Sequence, residues 1–202
     1  MNFKTLSKSV CLAAAIAAFS PLCTGTGKDD VKEIADRVAD WQITNFRHDA
    51  TYTGIKRDVL DWANGALFRG MVEWARKTGY QPAEDFVMNI GKANNWQMAR
   101  RLYHADDICV GQSFLLLYEE YKDPAMLLHV KERADSVIDI RSHVPMDIRV
   151  KRGLDRWSWC DALFMAPPVY SMLTQITGDK KYADFMKEEF VATTDHLFDT
   201  EH

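Results

Sequence analysis

Three stretches of this 202-residue chain begin alike, and the interval between them limits the folds open to it. Trp62-Ala63-Asn64-Gly65-Ala66-Leu67-Phe68 precedes a helical pattern that stops at Thr78-Gly79. Asp107-Ile108-Cys109-Val110-Gly111-Gln112 precedes one that stops near Lys122-Asp123. Trp159-Cys160-Asp161-Ala162-Leu163-Phe164 precedes one that stops at Thr177-Gly178. The starts lie about 45 to 52 residues apart, and a second helical pattern follows each. A hairpin of helices repeated at that spacing predicts a stacked or ring-closed array. A tetratricopeptide solenoid needs a shorter repeat. Inner helices rich in Trp, Gly and Phe suit a closed double ring, because glycine lets neighbouring inner helices approach closely. The fold expected is all-α, and no period-two strand is visible.

The helical readings rest on apolar residues recurring at three- and four-residue intervals. Val31, Ile34, Ala35 and Val38 mark one face, which Trp41 extends, behind Asp29 and Asp30 at the positive end of the helix dipole. Further helices are expected from Asp61 to Lys77, from Pro82 to about Gly91, after Asp106-Asp107, after Asp123-Pro124, and from Lys180 to Leu197. His48 to Gly54 reads as a polar linker. Arg141 to Arg156 reads as a basic, irregular loop.

The first 28 residues read as a signal peptide and short linker, and 29–202 as the helical domain. Lys4 and Lys8 precede an apolar run from Val10 to Phe19, which is too short to span a bilayer. The chain is expected to be exported, to the periplasm or beyond. Cys23 offers a lipoprotein alternative, although Leu22 before it is bulkier than that processing prefers. Cys109 and Cys160 then remain, too few for a disulfide framework and without metal spacing; two buried thiols are expected. The net charge of −4 supplies no basic patch for nucleic acid. No later segment is apolar enough to span a membrane, and the oligomeric state is left open.

The most unusual chemistry lies in Trp157-Ser158-Trp159-Cys160-Asp161-Ala162-Leu163-Phe164-Met165-Ala166-Pro167-Pro168. Proline breaks a helix interior but suits its first turn, so Asp161 is expected near the start of a helix. A plain helix cap is one reading of Asp161. The other is a site, since aromatic walls can desolvate a lone acid and make it a proton donor. Asp106-Asp107 occupies the equivalent place one repeat earlier. A doubled helix cap explains that pair; alternatively, if both repeats start at the same end of a ring, the carboxylates share a cavity. Carboxylates in unequal environments serve acid–base chemistry.

His104-Ala105-Asp106-Asp107-Ile108-Cys109-Val110-Gly111-Gln112, together with the Trp159–Pro168 motif, resembles glycoside hydrolase family 105 and the related family 88. These are unsaturated rhamnogalacturonyl and glucuronyl hydrolases. The resemblance implies an (α/α)6 barrel of six helical hairpins, of which this chain holds three to four. It implies as substrate an oligosaccharide left by a polysaccharide lyase, with a 4,5-unsaturated uronic acid at its non-reducing end. It also implies hydration of the vinyl ether, a reaction that needs no metal or cofactor. The family's acid/base aspartate falls on Asp161 and its second aspartate on Asp106. The doublet leaves the register open by one residue, with Asp107 as the alternative. Trp159 matches a sugar-lining position, and Lys151 lies in the loop where members place polar or basic groups.

Two other classes stay in view. A helical-barrel sugar epimerase would use paired histidines, for which His104 and His196 are poorly placed. A non-catalytic sugar-binding module, or a truncated remnant of the enzyme, would keep the aromatic walls without turnover. An incomplete ring is expected to leave two raw faces, carrying residues such as Trp62, Phe68, Phe185 and Phe190.

Overall fold

The computed structural model describes residues 27–47 and 58–199. The run from Val10 to Phe19, Cys11, Cys23 and the linker from His48 to Gly54 lie outside the described residues. Nine α-helices and no strand are found among the described residues. They are α1 (Lys28–Asn45), α2 (Trp62–Thr78), α3 (Gln81–Ala93), α4 (Ala105–Ile108), α5 (Gly111–Tyr121), α6 (Pro124–Asp139), α7 (Ala162–Met165), α8 (Pro167–Thr177) and α9 (Lys181–Leu197). A 3-10 turn covers Gly153–Asp155. Residues up to Ala35 form one unit, which holds the first turns of α1, and residues from Asp36 onward form another.

In the larger unit the repeat is visible as three hairpins: α2 with α3, α5 with α6, and α8 with α9. The helices α2, α5 and α8 pack side by side as an inner row. Their boundaries follow local chemistry. Asp61 caps α2 by accepting from Ala63 N–H (3.2 Å), and Asp123 caps α6 through Ala125 N–H (3.0 Å). Gly79 and Gly178 end α2 and α8 in the left-handed region, at φ 72° and 73°. Gly65 lets α2 approach the next repeat: a Cβ there would sit 3.0 Å from Val110 N and 3.1 Å from Cys109 Sγ.

The core runs between the two rows and includes Phe68, Val72, Val87, Phe114, Leu115, Leu117, Val130, Tyr170, Leu173 and Tyr182. Phe46, Phe68 and Phe86 form an aromatic cluster, with centroids 5.1 to 5.9 Å apart. Two expectations are corrected here. Val31, Ile34, Val38 and Trp41, read as one apolar face of a helix, are exposed. In the part of α1 that starts at Asp36, the inward face is 36-39-40-43. Ala39 and Ile43 meet the core, and Asp36 accepts from Trp74 Nε1 (2.8 Å). Asp40 accepts from the Tyr80 hydroxyl. Those two aspartates made the face look polar in sequence. Of the residues expected on raw faces, Phe68 and Phe185 are buried and Trp62 is half-buried, whereas Phe190 is exposed. The cysteines are also corrected: Cys109 is buried, its thiol pushed up to about 12 by burial, while Cys160 is exposed.

The double proline begins α8 and does not continue α7. Pro167 and Pro168 cannot donate to the carbonyls four residues earlier. Gln112, itself buried, reaches across from α5 to the gap. Its amide donates to Phe164 O (2.8 Å) and Met165 O (2.9 Å), and its oxygen accepts from Arg69 Nη1 (3.2 Å). Replacing Gln112 by Leu leaves those carbonyls without a donor. The variant is expected to lose about 1–3 kcal/mol of stability, read from the denaturant midpoint; an unchanged midpoint would show that the bridge is dispensable.

Candidate active site

The starts of the three inner segments converge. Helix α4 packs against both α7 and α2. At their meeting point is a cavity of about 210 Å³ lined by Trp62, His104, Ala105, Asp106, Leu154, Arg156, Ser158, Trp159, Asp161 and Ala162. The structure thus brings Asp106, Asp161 and Trp159 to one place. Lys151 is exposed and does not line the cavity; neither does Asp107.

The aspartate doublet divides its labour. Asp107 is buried, and its carboxylate accepts from Arg101 N–H (2.6 Å), Nε (3.0 Å) and Nη2 (2.6 Å). Arg133 holds the same stretch through Ala99 O (2.6 Å) and Arg101 O (2.9 Å). Asp107 therefore anchors the loop that leads into α4. Neither aspartate caps that helix: His104 does, by accepting from Asp106 N–H at Nδ1 (3.3 Å).

Asp106 faces the cavity. Burial raises its carboxyl above the ordinary carboxylate range, aided by the negative charges of Asp161 and Asp107 and opposed by His104 and Arg101. The Arg101 Nη2 lies 3.4 Å away and the His104 Nδ1 3.5 Å away. His104 is shifted the other way, down from its usual value, chiefly by burial, which favours the neutral ring.

Asp161 immediately precedes α7, but its side chain makes no capping bond. Its carboxylate is exposed, while its backbone carbonyl accepts from Phe164 N–H (2.9 Å) and Met165 N–H (3.2 Å). The two indoles beside it part company. Trp159 stays half exposed at the cavity, whereas Trp157 is buried against Tyr170 and Phe185. The desolvation expected around Asp161 falls on Asp106 instead. Arg156 is the sole Lys or Arg among the described lining residues. Its Nε and Nη2 donate to the Glu189 carboxylate at 3.0 and 2.9 Å. Sequence reasoning chose Lys151 from this loop and passed over Arg156. The available signal was proximity: Arg156 directly precedes the tryptophan motif, and Lys151 does not. Among the described residues no three His, Cys, Asp or Glu side chains form a metal-binding group, and no helix is long and apolar enough to cross a membrane.

The raised Asp106 carboxyl has a consequence for stability. A folded-state value above the unfolded one favours folding below the ordinary carboxylate range, and that benefit is lost as pH rises through the folded value. Wild type is thus expected to lose stability relative to Asp106→Asn as pH climbs from about 4. Melting curves of both proteins across acid and neutral pH would show it; parallel curves would contradict the burial assigned to Asp106.

The chain resembles known proteins in sequence and in fold. The model of Glycosyl Hydrolase Family 88 matches residues 34–202. An unsaturated 3S-rhamnoglycuronyl hydrolase from Alteromonas sp. (strain LOR) is 27% identical over 187 residues, covering 85% of this chain and 45% of that protein. A protein of the same name from Formosa agariphila is 32% identical over 149 residues, covering 70% of this chain and 38% of its own. The chain thus spans less than half the length of these curated relatives. Two solved structures share the fold. A possible member of the GH105 family from Salmonella enterica serovar Paratyphi A superposes with a TM-score of 0.70 at 15% identity, over 90% of this chain and 53% of that one. A protein described as polysaccharide lyase BACCELL_00875 gives 0.67 at 20% identity, over 86% and 48%. With the family model matching most of its length, the chain belongs to glycosyl hydrolase family 88.

Proposed function

We propose that this chain carries the acid–base half of a hydrolase for unsaturated uronyl oligosaccharides. The observation that carries the reading is the placement of two aspartates in unequal environments, Asp106 and Asp161, on one cavity beside an exposed indole. The cavity is below the ~300–1,000 Å³ of sites for drug-sized ligands, which suits the terminal sugar of a chain. Indole faces such as that of Trp159 stack on sugar rings, and Arg156 supplies a positive charge for an anionic sugar. The names of the two curated relatives favour a rhamnoglycuronyl substrate. The export reading rests on Lys4, Lys8 and the apolar run alone; N-terminal sequencing of the secreted protein tests it.

In the reaction proposed, Asp161 delivers to C4 of the 4,5-unsaturated ring a proton drawn from the carboxylate pair it forms with Asp106. Water then adds its oxygen at C5 and returns a proton to the carboxylate pair. The hemiketal so formed opens and releases the neighbouring sugar. Asp161 suits the contact with substrate because its carboxylate is exposed and uncommitted to a cap. Asp106, set deeper and biased toward its protonated form, tunes the charge that faces it.

The test is loss of the ultraviolet absorbance of the conjugated double bond when the protein meets an unsaturated uronyl disaccharide. Asp161→Asn is expected to cut turnover by about two to four orders of magnitude while leaving the fold intact. Asp106→Asn is expected to weaken turnover and to shift the pH optimum, since the amide facing Asp161 can neither hold a proton nor carry charge. Undiminished turnover in a folded Asp161→Asn variant rules that residue out as the acid. Unchanged absorbance with wild type favours a sugar-binding role without chemistry.

A further inference from the structure

The cavity's most exposed functional side chains sit on a loop, yet the loop is held at three consecutive residues. Arg156 is clasped side-on by Glu189 of α9, at 3.0 and 2.9 Å. The carbonyl of Trp157 accepts from the Thr193 hydroxyl, also on α9, at 2.6 Å. The Ser158 hydroxyl donates to Gly153 O (3.0 Å), closing the loop on itself. At Gly153 the fit is tight enough that a Cβ would fall 1.9 Å from Asp147 O.

Glu189 and Thr193 are one helical turn apart and so share a face. Both are buried, Thr193 completely. A carboxylate buried on a hairpin's outer helix is costly unless it is paired and hydrogen-bonded, and an apolar residue would pack the helix without that cost. Their partners are successive residues, 156 and 157, in a segment without regular helix. The next residues, Trp159 to Asp161, are exposed. The clasp thus lies at the edge of the cavity, which Arg156 and Ser158 already line, and ends where the exposed side chains begin.

We propose that Glu189 and Thr193 form a clamp on α9 that positions Trp159 and Asp161 in the cavity. Neither lines the cavity; both act by fixing the backbone from which those two side chains project. The consequence for turnover rests on the hydration reading above; the consequence for loop order does not.

The two are separated by measuring both. Peptide-resolved hydrogen exchange and steady-state kinetics on an unsaturated uronyl disaccharide are run on wild type, Thr193→Val, Thr193→Ser and Glu189→Gln. Thr193→Val keeps the shape and removes the donor. Exchange over 153–161 is expected to rise about tenfold, the scale of one hydrogen bond, with α2 and α5 unchanged. A displacement of about an ångström at the acid is expected to lower kcat by about 100-fold, with a smaller change in KM. Thr193→Ser restores the hydroxyl and is expected to recover both. Glu189→Gln is expected to loosen the same segment; should it fail to fold, the Thr193 pair decides. Unchanged exchange over 153–161 in Thr193→Val overturns the clamp. So does an equal rise in α2 and α5, which is what a merely structural role would give. Wild type without turnover removes the hydration reading, while the exchange result still decides the clamp.

Discussion

A single buried amide lets the third repeat present an acid at its tip. Two consecutive prolines prevent α7 from running into α8, and they strand carbonyls that a continuous helix would have paired. Gln112 supplies a donor to Phe164 O, which Pro168 cannot serve, and to Met165 O beside it, whose helical partner Val169 N–H turns to Ala166 O. The bridge comes from the neighbouring inner helix, so it also fixes the register between the second and third hairpins. Through Arg69 it extends to the first. A break in one helix thereby becomes a joint among three. With α7 reduced to a single turn, Asp161 lies at its head, clear of capping duty.

The same economy governs charge around the cavity. Three acidic groups lie close together, and the fold gives each a different surrounding. Asp107 is buried and fully engaged by Arg101, which makes it an anchor. Asp106 shares that arginine only at its edge, at 3.4 Å, and burial dominates its behaviour. Asp161 lies in the open. Placing one carboxylate in a half-buried setting and another in an exposed one creates the unequal pair on which acid–base chemistry draws. The neutral His104 ring caps α4 beside them without adding a permanent charge.

Much of the architecture was legible because helix ends speak locally. Asp61, Asp123, Gly79 and Gly178 cap where their side-chain chemistry or backbone freedom predicts, and the hairpin spacing followed from them. What the sequence concealed depends on direction. Val31, Ile34, Val38 and Trp41 make a good apolar stripe, but the part of α1 from Asp36 onward packs through a neighbouring face. Two aspartates on that face meet Trp74 and Tyr80, and no periodicity rule counts an aspartate as inward. In the tryptophan-rich stretch, Trp157 and Trp159 looked equivalent, yet adjacent-but-one residues in a non-helical loop diverged, one to the core and one to the cavity. The neighbours Asp106 and Asp107 differ likewise, because only one can face Arg101 from within. Lys151 and Arg156 are both basic, and only tertiary contact with Glu189 distinguishes them.

The central claim is that two carboxylates confront each other across one cavity in unequal surroundings. Carboxyl carbon NMR titration of the wild type and of Asp161→Asn tests it most directly. The result expected is an Asp106 midpoint above the ordinary value of about 3.9, moving down when Asp161 loses its charge. An Asp106 that titrates at or below the ordinary value, and is indifferent to Asp161, would contradict the account.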